Sequence, residues 1–251
     1  MLSFSEFGDA AAPPLMIVHG LYGSGRNWGV IAKRLSDAAR VYTIDLRNHG
    51  LSPRTDTHSY QDMAGDIAEL IEQLGGPMDI VGHSMGGKAA MVLALTRPDL
   101  LRRLVVADIA PVAYTHSQLP YIHAMRAVDL SKVTRRSEAE AQLAEQGVEP
   151  ALCSFFTQSL DVPEKRWRLN LDTLEREMPG IMSFPETSGR FEGTTLFLSG
   201  ATSDYVLTEH RPLIKDLFPN AHFAKLKDAG HWLHADKPRE FETAVRGFLS
   251  A

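Results

Sequence analysis

The chain has 251 residues, 44% of them hydrophobic and 23% charged, so it can bury a sizeable core without disulfides or metal. Its formal charge of −5 argues against a nucleic-acid partner, which needs a basic face, and its most basic stretch, residues 132–136, is short and adjoins acidic residues. Cys153 is the only cysteine, no apolar run approaches the roughly 20 residues of a membrane span, and Met1 to Ala12 lack a signal-peptide pattern, so a soluble cytoplasmic protein is expected.

Residues 15–18 read as the first strand, followed by His19-Gly20-Leu21-Tyr22-Gly23. The glycines Gly20, Gly23 and Gly25 between a strand and a helix resemble a dinucleotide-binding turn, with Asp45 closing the next strand, 41–44. That reading fails on spacing, because Trp28 occupies the third glycine position. Ser59 with Asp62 forms a capping box ahead of Met63, Ile67, Leu70, Ile71 and Leu74, and Gly75 and Gly76 end this helix. A short strand at 79–81 leads into Gly82-His83-Ser84-Met85-Gly86, and residues 85–95 form a helix apolar nearly all round. The next strand, 104–107, runs into Asp108. Residues 112–190 are largely helical in pattern, richer in charge and without a convincing strand. Cys153 there is flanked by Leu152, Phe155 and Phe156, as a small buried hydrophobe would be. Strands at 195–198 and 222–226 follow, and Pro238 opens a last helix with Phe241, Val245, Phe248 and Leu249 on its core face. Short apolar runs alternating with helices predict a parallel sheet covered by helices.

The chemistry concentrates at the ends of these strands. Gly82 to Gly86 fit the G-x-S-x-G pattern on a strand-to-helix turn, which makes Ser84 the candidate nucleophile. The turn strains the serine backbone, and glycines two residues either side relieve the crowding. An oxyanion needs two backbone N–H donors: the residue after the nucleophile, Met85, and by position Leu21 in the first loop. His19 is read as a structural member of that loop. The base must follow the last strand and reach over the serine, so His231 is the candidate and His234 the alternative. Two carboxylates compete to orient it. Asp108 lies between apolar Ala107 and Ile109, where a carboxylate is costly unless paired, and it is preferred; Asp204, in a polar loop after the following strand, is the alternative. Arg47, Asn48, His49 and Lys88 are read as bracing the loops around the turn. No H-E-x-x-H or C-x-x-C spacing appears, so no metal is expected.

These motifs resemble the α/β-hydrolase superfamily over nearly the whole chain. More narrowly, His19 to Ser24, Asp45 to Pro53, Gly82 to Lys88 and Asp108 to Val112 are similar to the YbfF-type esterases. The resemblance implies an α/β-hydrolase fold with a mostly parallel central sheet flanked by helices. It implies a helical cap inserted after the strand that the family counts as its sixth, giving a core of 1–111 and 191–251 and a cap of 112–190. It also implies a cofactor-free serine carboxylesterase acting on small acyl esters, and on acyl thioesters as a variant, with Asp108 as the acid. Other activities of the same triad remain alternatives: carbon–carbon hydrolase, lyase or perhydrolase. So does non-catalytic ligand binding on the same scaffold. The acyl chain length and the oligomeric state are not encoded in these motifs.

Overall fold

A computed structural model describes residues 1–250. Its first half carries the strands β1 (Phe4–Phe7), β2 (Pro14–Val18), β3 (Arg40–Ile44), β4 (Met78–His83) and β5 (Leu101–Ala107). Between them lie α1 (Gly29–Leu35), α2 (Tyr60–Gln73) and α3 (Met85–Thr96). An inserted segment follows, with α4 (Leu119–Ala127), α5 (Arg136–Glu145), α6 (Pro150–Thr157), the two-residue strands β6 (Leu160–Asp161) and β7 (Arg166–Trp167), α7 (Leu171–Arg176) and α8 (Met178–Met182). The chain closes with β8 (Thr194–Gly200), α9 (Arg211–Leu217), β9 (Ala221–Leu226), α10 (Leu233–Asp236) and α11 (Pro238–Ser250).

Seven strands form one sheet in the order β1-β3-β2-β4-β5-β8-β9. Every neighbouring pair is parallel except β1 and β3. The fold is an α/β-hydrolase fold. Alternate residues of β2 divide between its two faces, as the pleat requires: Leu15 and Ile17 pack with Trp28, Ile31 and Phe241, whereas Met16 and Val18 pack with residues of α2 and α3. Of the expected capping box of α2 the N-cap half is formed: Ser59 Oγ accepts from the Asp62 N–H at 3.1 Å and donates to Asp62 Oδ2 at 2.7 Å. Residues Met85 to Leu95 of α3 are all buried, the helix packing against β4, β5 and α2.

The structure departs from the sequence reading in four places. The sequence pattern does not predict strand β1: Phe-Ser-Glu-Phe is short and largely exposed, and pairs antiparallel with β3 at the sheet edge. The insertion contains the antiparallel pair β6–β7, each too short to leave a periodic trace. The strand before the insertion is the fifth in this chain, which begins its sheet one strand later than the family's count. Strand β4 is also longer than 79–81. It runs through Gly82 and His83 and delivers Ser84 directly to the start of α3.

Candidate active site

Ser84 stands at the junction of β4 and α3 with φ 52° and ψ −121°, a region that non-glycine residues rarely occupy. The turn is held by close backbone approach. A Cβ added at Gly82 would lie 2.6 Å from the Gly86 carbonyl oxygen, and one at Gly86 would lie 2.4 Å from that of His19. Nothing larger than hydrogen fits at either position, which is the physical content of the G-x-S-x-G spacing.

His231 lies in the loop between β9 and α10. Its Nε2 is 3.0 Å from Ser84 Oγ, and its Nδ1 is 2.8 Å from Asp108 Oδ2. Asp108 follows β5 directly, is fully buried and also has a positive φ of 51°. Its Oδ1 accepts from the Gly200 N–H at 3.0 Å, and Ser203 Oγ donates to Oδ2. Three donors thus satisfy a carboxylate that would otherwise be costly to bury. Asp204 is exposed and plays no part in this chain of bonds, because both imidazole nitrogens are taken by Ser84 and Asp108. His234 is buried and points elsewhere, stacking on Trp28 with ring centroids 4.0 Å apart. The contact of Ser203 was not foreseen. The sequence drew attention to its loop through Asp204, and the neighbouring hydroxyl is what reaches the site.

Leu21 and Met85 border the same cavity as Ser84. Among the described residues, neither backbone N–H donates to a protein acceptor. The Leu21 N–H is aimed by its own peptide. His19 Nδ1 donates to the Gly20 carbonyl at 2.8 Å and the Gly23 N–H donates to it at 3.1 Å, so the N–H of that planar trans unit points the opposite way. His19 Nε2 accepts from the Leu46 N–H at 3.0 Å, and His49 Nε2 accepts from the Tyr22 N–H at 3.2 Å. Both imidazoles must be neutral to accept there. Burial pushes His19 down to about 4 and His49 to about 3.

Arg47, Asn48 and His49 serve the loops. Arg47 pairs with Asp66 at 2.6 Å, and the Asn48 amide holds Thr55 and Thr57. Lys88, one turn into α3, is 1% exposed. Its ammonium donates to the carbonyls of Val112 at 2.8 Å and Met182 at 3.3 Å, and also to that of Ser183. It lies 4.7 Å from the Tyr114 ring centroid, and burial pushes its pKa down to about 7.

The site opens into a cavity of about 350 Å³ between the sheet and the insertion. Its walls are mainly apolar and aromatic, and include Tyr22, Tyr121, Phe155, Phe156, Ile181 and Trp232. The sequence did not assign these lining residues, since four of the six come from the insertion, where no motif marks them.

The profile of the alpha/beta hydrolase family matches residues 15–244. The mouse sn-1-specific diacylglycerol lipase ABHD11 is 43% identical over 97% of this chain and 83% of its own length. Esterase YbfF of Escherichia coli is 35% identical over 94% of this chain and 93% of its own length. A solved marine microorganism esterase superposes with a TM-score of 0.93 at 40% identity, covering 98% of each chain. On the profile match and on this identity across nearly its full length, the chain belongs to the alpha/beta hydrolase family.

Proposed function

We propose that the chain is a serine carboxylesterase that hydrolyses acyl esters through an acyl-enzyme, with Ser84 as nucleophile, His231 as base and Asp108 as the acid that orients it. The observation that carries this reading is the continuous hydrogen-bonded chain from Ser84 Oγ through His231 to Asp108, at 3.0 and 2.8 Å. Relatives named as an esterase and a diacylglycerol lipase support an ester hydrolase.

In this reading Ser84 Oγ attacks the ester carbonyl carbon while His231 Nε2 takes its proton. The former carbonyl oxygen becomes anionic and is held by the N–H groups of Leu21 and Met85. Asp108 keeps Nδ1 protonated and stabilises the charged imidazole. The tetrahedral species collapses, and the leaving alcohol receives the proton from Nε2. Water then attacks the acyl-enzyme with His231 again as base, and the acid departs. A thioester follows the same steps with a thiol leaving, and this extension belongs to the proposal. The apolar cavity suits the acyl chain of a small-molecule substrate. The protein needs no cofactor for these steps. Residues 1–111 and 191–251 act as the hydrolase core, with 112–190 as the cap that shapes the pocket. No helix among the described residues is long and apolar enough to cross a membrane, and the single cysteine suits a cytoplasmic setting.

The test is a panel of p-nitrophenyl esters and acyl-CoA thioesters of graded length, with fluorophosphonate labelling. Ser84→Ala is expected to lower kcat by several powers of ten and to abolish the label. Parent-level turnover by that variant would overturn the assignment.

A further inference from the structure

We propose that Tyr205 is a positioning residue for His231, its ring holding the imidazole in the plane that joins Ser84 to Asp108 and favouring the charged imidazole formed during acyl transfer. This rests on the serine-esterase reading above. The two rings stack with centroids 3.9 Å apart and planes 19° apart. The other aromatic neighbours of His231 are inclined to it: His83 at 4.9 Å and 42°, Trp232 at 5.7 Å and 67°. Tyr205 is therefore the one flat wall against the base.

The wall is itself anchored on three sides. The Tyr205 N–H donates to Ser203 Oγ at 3.3 Å, the same hydroxyl that donates to Asp108. The Tyr205 carbonyl accepts from Tyr114 Oη at 2.8 Å, and that oxygen accepts from the Ala110 N–H at 2.9 Å. The Tyr205 hydroxyl meets His116 Nε2 at 2.8 Å. Burial and the nearby Asp204 and Asp108 raise the phenol to about 12, so it stays protonated. One short loop thus fixes the carboxylate on one edge of the imidazole and the ring on its face.

The arrangement matters most after the first half of the reaction. Once Oγ carries the acyl group, the imidazole has lost its hydroxyl partner and keeps only Asp108 on its opposite edge. One hydrogen bond leaves the ring free to tilt, and the stacked phenol prevents this while Nε2 activates water. The electron-rich face of an aromatic ring also attracts a cation stacked on it, so it favours the imidazolium over the neutral ring. The charged and titratable groups around His231 are Asp108, His83, His234 and His116, with Asp204 beside His116 and Tyr205; Asp108, His83 and His234 make no bond to the Tyr205 side chain, and His116 loses its hydroxyl partner equally in the Leu and Phe variants.

The experiment compares Tyr205→Leu with Tyr205→Phe on a short p-nitrophenyl ester, reading kcat, KM and the pH profile of kcat/KM. Tyr205→Leu is expected to lower kcat by about tenfold, the size of one aromatic stacking contact, with KM changed less. The acid limb of its profile moves to lower pH, because the charged imidazole has lost its support. Tyr205→Phe, which keeps the ring and loses the hydroxyl, restores most of the rate and returns the limb. Three results would each overturn the proposal: a loss confined to KM, an acid limb that stays put in Tyr205→Leu, or a Phe variant as impaired as the Leu variant. Tyr205→Met, read the same way, replaces the Leu variant if that one fails to fold. Failure of the parent enzyme to take a fluorophosphonate label would instead remove the underlying serine-esterase reading.

Discussion

Ser84 and Asp108 both carry positive φ angles, 52° and 51°, at the ends of adjacent strands of one sheet. Positive φ is costly for serine and less so for aspartate, and in Ser84 the surrounding backbone holds it against its own tendency. For Ser84 the strain was legible, because two glycines at fixed spacing announce it. For Asp108 the signal was different: a carboxylate set between alanine and isoleucine must have partners, and the structure supplies three. The preference for Asp108 over Asp204 as the proposed acid rests on that cost of burial, which the exposed Asp204 does not bear. Asp108→Asn is expected to lower kcat by roughly a thousandfold or more, since an amide at that position can donate to Nδ1 and fix the wrong tautomer. Asp204→Asn is expected to stay within about twofold of the parent, as surface changes usually do. Equal losses in the two variants, measured as kcat on one ester, would return Asp204 to the site. Ser203 and Tyr205 had no such signal. Their roles depend on how a tight loop after β8 folds back onto β5, and neither spacing nor composition encodes that.

At the scale of elements, the strand β4, the turn and the helix α3 behave as one unit. Sequence alone located it, because the G-x-S-x-G turn stands between a short strand and a helix that is apolar nearly all round. Strand β1 escaped notice for the opposite reason: an exposed edge strand buries too little to impose a pattern. The insertion was legible as helical and opaque in detail, since its packing is set by the pocket it encloses. The unit makes a sharp prediction at Gly86. An added methyl would lie 2.4 Å from the His19 carbonyl oxygen and 2.6 Å from that of Val18, both backbone atoms that cannot swing aside. Gly86→Ala therefore pushes the first loop, with the Leu21 N–H, away from Ser84. The expected result is a kcat reduced by about a hundredfold, the cost of an ångström-scale misplacement. A loss of about 1–3 kcal/mol in urea unfolding should accompany it. Parent-like values in both measurements would show that the two segments are not packed against each other.

Across the whole molecule, buried histidines are a shared liability. His19, His49, His58, His83 and His234 are all buried, and burial holds each below the ordinary histidine value of 6.5. His19 falls to about 4, and His49 and His234 to about 3. The unfolded chain therefore binds more protons than the folded one below pH 6.5, and stability must rise with pH through that region. The stabilisation is complete above about 6.5 and is lost progressively as pH falls toward 4 and 3. Between pH 6.5 and 5 few carboxylates titrate, so histidines dominate the slope. Scanning calorimetry is expected to show a melting temperature that drops steadily across that interval. A flat profile there would mean that these rings are already accessible to water. Acid sensitivity of this kind was not readable from a count of ten histidines, because only the fold decides which of them are enclosed.

Lys88 ties the scales together. The chain leaves the sheet past Val112 and comes back past Met182 and Ser183, and the carbonyls of all three converge on one ammonium of α3. The two ends of the insertion are thus pinned together at an interior point one turn beyond the reactive hydroxyl, while bonds such as Tyr60 Oη to the Ile181 carbonyl and Asn170 to Asn48 tie its body to the core. Swinging the insertion outward as a flap would strip a buried cation of its only hydrogen-bond acceptors before the pocket had opened at all. The neck is accordingly a fixed part of the frame around the pocket and not a hinge.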